Sequence, residues 1–97
     1  MKVEKTGIEG VLILQPTRYT DDRGYFQENW NQSRYAEAGI TEEFVQDNLS
    51  LSEKSVIRGI HFQKPNAQGK LVTVIAGRVI DVTVDIRKDS KTFGEHM

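Results

Sequence analysis

The sequence predicts a mainly β domain, a sandwich or barrel with one short helix. Three observations predict it. Short apolar runs recur along the chain and end at Pro, Gly or Asp-rich turns. Residues 79–87 alternate apolar and polar, with Ile80, Val82, Val84 and Ile86 on one side and Asp81, Thr83, Asp85 and Arg87 on the other. Only residues 31–40 carry helix start and stop signals.

The elements follow in order. "VLILQP", residues 11–16, reads as a strand stopped by Pro16. "TDDRG", residues 20–24, reads as a turn, because two aspartates precede a glycine that tolerates positive φ. "YFQENW", residues 25–30, reads as a second strand. In "NQSRYAEAGI" Asn31 or Ser33 caps a helix and Gly39 ends it. Residues 44–52, "FVQDNLSLS", read as extended or irregular. "SVIRGIHFQ", residues 55–63, reads as one strand, with Gly59 as a site for a bulge. Residues 70–87 read as a hairpin with Ala76-Gly77 at its tip, and residues 88–94 as a polar turn. These strands are too few to close a jelly roll, and open edges invite pairing with another chain.

Composition narrows the function classes. The chain has 97 residues, one small domain, with 13 basic and 14 acidic side chains and a net charge of -1. No basic field exists to hold nucleic acid, and no apolar run is long enough to span a bilayer. With no cysteine, thiol catalysis and thiolate metal sites are excluded. The expected address is cytoplasmic. A paired-histidine metal site is not expected either, since His61 is followed by Phe62 and Gln63 and the other histidine, His96, lies at what reads as a frayed end.

His61 has two readings. It is a hydrogen-bonded histidine in a small core, or a general base, since imidazole titrates near neutrality. Lys70 opens the next strand. A histidine base beside a lysine cation suits removal of a proton α to a carbonyl, with the cation steadying the enolate. Arginine forks suit diphosphates, and Arg58 stands out because its flanks are apolar.

"DDRGYFQENW", "FVQDNLSLS" and "SVIRGIHFQKPNAQGKLVTVIAGRVIDVTVDIRKDSKTFG" resemble, in order and without large gaps, the dTDP-4-dehydrorhamnose 3,5-epimerase family. The resemblance runs from about residue 1 to residue 94. Gln63 and "AQGK" resemble the epimerases rather than the sugar-nucleotide ketoisomerases of the same fold. It implies a cupin-type jelly roll, incomplete at the C-terminus, in which residues 1–97 form the N-terminal part of a single epimerase domain. It implies no metal, no cofactor, a dTDP-linked 4-keto-6-deoxyhexose as substrate, and a homodimer that exchanges N-terminal strands. His61 matches the family's base and Lys70 the cation near the ketone oxygen. Arg58 and the segment Gln46, Asp47 and Asn48 match contacts to the nucleotide sugar. Arg23, Phe26 and Glu28 match residues that reach the ligand of the neighbouring subunit. Family members are nearly twice as long. Their proton-donating tyrosine matches none of Tyr19, Tyr25 and Tyr35. The alternative is therefore an inactive sugar-nucleotide-binding or dimerising fragment.

Overall fold

A computed structural model describes residues 1–97. Two antiparallel hairpins and one helix are its regular elements. Strands β1 (Lys2–Lys5) and β2 (Leu12–Gln15) pair from Lys2 opposite Gln15 to Lys5 opposite Leu12. Their connection is tied by Thr6, whose hydroxyl lies 2.9 Å from the Val11 carbonyl and accepts the Ile8 amide, and Ile8 is buried beneath it. Strand β1 is not legible in the sequence. Its four residues, KVEK, offer one apolar side chain, and pairing with β2 makes the strand.

Strands β3 (Arg18–Asp21) and β4 (Gly24–Gln27) are joined by Asp22 and Arg23. The Asp21 carboxylate accepts the Arg23 amide at 2.8 Å and its guanidinium at 2.6 Å. Gly24 leaves the turn at φ +132°, a conformation that disfavours any Cβ. The expected turn is therefore present, and the strand after it ends at Gln27. Neither hairpin touches another regular element.

Helix α1 (Gln32–Glu37) is shorter than the expected 31–40. The Asn31 side chain caps it by accepting the Arg34 amide at 3.0 Å, and the Gly39 and Ile40 amides close it on the Ala36 and Tyr35 carbonyls. Tyr35, 2% exposed, anchors its inner face. Its ring centroid lies 4.6 Å from that of Trp30, whose ring meets Phe44 edge-on at 4.9 Å.

From residue 41 to residue 82 the backbone makes no backbone–backbone hydrogen bond. Two expectations are corrected there. Residues 55–63 are not a laddered strand, because no neighbouring strand runs beside them. Residues 70–87 are not a hairpin. The chain bends at Ile75–Gly77, with Gly77 at φ +88°, but the two arms do not pair. The second arm pairs instead with the last residues. Val84 bridges His96, and Thr83 and Met97 exchange both amide hydrogen bonds at 3.0 Å. His96 is thus held in an antiparallel bridge and not frayed.

Burial over residues 79–87 does not follow the alternation. Asp85, on the polar side, is 4% exposed, whereas Ile80, on the apolar side, is 95% exposed. The reason is local. The Asp85 carboxylate accepts the Arg87 amide and guanidinium, the Ser90 hydroxyl and the Thr92 hydroxyl, so every buried lone pair finds a donor. Arg87 in turn reaches back to the first hairpin, its Nη1 3.8 Å from where a Cβ on Gly10 would stand.

Candidate active site

Two adjoining grooves occupy the middle of the chain. One, of about 510 Å³, lies between residues 42–48 and 68–72. The other, of about 600 Å³, lies between Trp30, residues 44–49 and the side chains of Leu71, Thr73 and Ile75. Lys70 and Val72 line the first, Thr73 and Ile75 the second, and Leu71 lines both. Residues 44–48 form the wall between them.

The first groove brings Gln46, Asp47, Asn48 and Lys70 onto one surface. Gln46 donates to the Asn48 side chain at 3.2 Å, which orients both amides. The Lys70 ammonium donates to the Gln68 side chain at 2.9 Å, stays exposed and forms no ion pair. Glu42 and Glu43 lie at the same groove.

Arg58 and His61 sit together on the next extended segment, outside the residues lining either groove. The Arg58 guanidinium donates to the Leu51 carbonyl at 2.7 Å, which ties residue 58 to the loop after Asn48. Gly59, at φ +113°, turns the chain between Arg58 and His61. The His61 ring folds back over it, with Nδ1 3.7 Å from where a Cβ would stand. His61 is exposed. It is therefore not a core residue of this chain, and simple strand alternation does not set its direction.

Arg23, Phe26 and Glu28 belong to a separate unit. Arg23 is paired with Asp21 at the tip of the β3–β4 hairpin, and this ion pair holds the Asp21 carboxyl below its ordinary range. Phe26 is 71% exposed on β4. Glu28 pairs with Arg34 of the helix and accepts from Asn31. The guanidinium of Arg18 lies 3.8 Å over the Tyr25 ring on the same hairpin.

The sequence did not single out Trp30, Phe44 or Gln68. The first two set the position of residues 44–48 and the third holds Lys70. Trp30 is the single tryptophan and directly precedes the helix cap, which is the one signal that marks it. No three histidine, aspartate or glutamate side chains stand close enough to hold a metal ion.

Residues 5–97 match the family model described as dTDP-4-dehydrorhamnose 3,5-epimerase. The enzyme of that name from Methanothermobacter thermautotrophicus is 52% identical over 94% of this chain and 49% of its own length. The one from Shigella flexneri is 55% identical over 98% of this chain and 54% of its own. The crystal structure of the Bacillus anthracis enzyme with TDP and PPi bound superposes with a TM-score of 0.93 at 44% identity, over 99% of this chain and 56% of that one. The chain thus spans about half the length of the relatives it matches. Its fold is the cupin-type jelly-roll arrangement of these neighbours, mainly β with one short helix. The chain belongs to the dTDP-4-dehydrorhamnose 3,5-epimerase family.

Proposed function

We propose that residues 1–97 form the N-terminal part of a single nucleotide-sugar 3,5-epimerase domain and carry its proton-abstracting half. The observation that carries this reading is the groove that gathers Gln46, Asp47, Asn48 and Lys70 in a chain of this family. The substrate is a dTDP-linked 4-keto-6-deoxyhexose. Arg58 and the Gln46–Asn48 segment bind its nucleotide and sugar. His61 removes the proton from the carbon beside the C4 ketone. The C–H electron pair moves onto the ketone oxygen, and Lys70 steadies the enolate charge that results. Reprotonation from the opposite face inverts the centre and requires a donor other than the residues named here. The exposed β3–β4 hairpin supports a homodimer with exchanged strands, in which Arg23, Phe26 and Glu28 reach the partner's ligand.

The test is solvent hydrogen exchange at C3 and C5 of the substrate in deuterated water. Exchange by the wild-type chain and not by His61→Ala supports the reading. Exchange at equal rates removes His61 from it.

A second reading is a sugar-nucleotide-binding or dimerising fragment without catalysis. It is favoured by the burial of only Ile8, Tyr35 and Asp85. Calorimetric binding of dTDP without hydrogen exchange would establish it.

A further inference from the structure

Among the proposed ligand residues, Glu28 is the one whose side chain is held by the helix. Two donors meet the same carboxylate oxygen. The Asn31 side-chain amide donates to Oε1 at 3.2 Å, and the Arg34 guanidinium donates to it through Nη1. The other oxygen, Oε2, takes no hydrogen bond within the chain.

Both donors are themselves fixed. The Asn31 side-chain oxygen accepts the Arg34 amide at 3.0 Å, so its NH₂ is the group left for residue 28. Arg34 rises from a turn anchored by Tyr35, 2% exposed. The Tyr35 amide donates to the Asn31 carbonyl at 2.9 Å, and its hydroxyl donates to the Asn29 carbonyl. The helix thus grips the chain at residues 28 and 29, just beyond the end of β4.

The Arg34 and Glu28 side chains are 65% and 37% exposed, and an exposed ion pair contributes little to stability. Its effect is on direction. A free glutamate loses rotamer freedom when it binds, whereas one oxygen pinned by two donors leaves the other aimed beforehand. A carboxylate oxygen accepts and cannot donate, so Oε2 suits an N–H or O–H of a ligand.

From this geometry we propose that Arg34, with Asn31, is a positioning residue that fixes Glu28 through Oε1 and presents Oε2 to the nucleotide. The proposal rests on the reading in which Glu28 reaches a dTDP-linked ligand.

The experiment titrates dTDP into the 97-residue chain and its variants by calorimetry and follows the Asn31 side-chain amide by NMR in the free chains. Arg34→Met keeps a good helix former and removes the charge. It should raise Kd about 3- to 10-fold, the loss expected when an ordered side chain is released. The Asn31 amide resonances should move as they do in Glu28→Ala, with circular dichroism unchanged. Arg34→Lys returns a cationic donor to a single oxygen and should bind within about 2-fold of the parent. In the Glu28→Ala background, Arg34→Met should cost nothing further, because it acts through Glu28. An undiminished loss in that background overturns the proposal and makes Arg34 a structural residue of the helix. So do unmoved Asn31 resonances in Arg34→Met, or parental affinity in Arg34→Met where Glu28→Ala binds more weakly. Failure of the earlier reading is a separate result: no dTDP binding by the parent, or affinity unchanged in Glu28→Ala, removes Glu28 from the site and Arg34 with it.

Discussion

The rings of Trp30 and Phe44 meet edge-on, 4.9 Å between centroids and 73° between planes. This contact joins the end of the β3–β4 hairpin and the start of the helix to the segment that carries Gln46, Asp47 and Asn48. Trp30 is also seated on Tyr35, whose hydroxyl donates to the Asn29 carbonyl. A short aromatic stack thus sets one wall of both grooves.

Phe44→Ala should raise the dissociation constant for dTDP about 2- to 10-fold. An aromatic pair of this geometry contributes about 0.5–1.5 kcal/mol beyond its buried area. Calorimetry measures the affinity. Because Trp30 is the only tryptophan and lines the second groove, its fluorescence should also change on binding.

Tyr35→Phe removes the hydroxyl that satisfies Asn29 and should lower stability by about 0.5–1.5 kcal/mol. Urea unfolding followed by Trp30 fluorescence reads this directly, since the two rings lie 4.6 Å apart.

Lys70→Met should lower hydrogen exchange at the sugar about 10²- to 10³-fold, the usual loss when a donor to a developing oxyanion is removed. The affinity for dTDP should stay within about 2-fold, since the proposed role of Lys70 is at the ketone and not at the nucleotide. A parallel loss of affinity would assign Lys70 to binding instead.

Gly59→Ala forces a Cβ into φ +113° at a cost of about 1–2 kcal/mol or more. The added methyl meets the His61 ring at ordinary van der Waals distance, so the strain lies in the backbone. Relaxation of φ should swing His61 and reduce exchange about tenfold, with dTDP affinity again as the control.

Asp85 predicts a pH dependence. The Arg87 guanidinium, then the Ser90 and Thr92 hydroxyls, hold its carboxyl far below the usual range. A depressed carboxyl stabilises the folded turn fully above the unfolded value of about 3.9, and that contribution is lost as pH falls below it toward the folded value. The amides of Asp85 and Met97, bonded to the Glu95 and Thr83 carbonyls, should therefore exchange faster below about pH 4. Asp85→Asn should remove that dependence.

What the sequence reveals follows the range of each interaction. The helix was readable because its cap, its anchor and its closing glycine lie within ten residues. The Asp-Arg-Gly turn was readable for the same reason. Strands β1 and β3 were not, since "KVEK" and "RYTD" become strands only by pairing with β2 and β4. The supposed hairpin at residues 70–87 shows the converse. Gly77 marks a change of direction, but direction does not choose a partner, and residues 83–85 pair with the chain's last three residues. At the site, no spacing rule placed Lys70 beside Gln46–Asn48, which lie more than twenty residues earlier. The family resemblance singled out these residues, and their common groove came from the fold.

The loop from Thr83 to Met97 has a consequence for how the molecule assembles. Its bridge, its turns and its buried carboxylate draw their partners from within fifteen residues, as do those of each hairpin and the helix. The backbone hydrogen bonds of the two ends are thus closed by short loops, while residues 41–82 have none. The proposed site lies in that unbonded middle, so a ligand that bridges residues 42–48 and 68–72 would tie together segments that the backbone itself leaves untied.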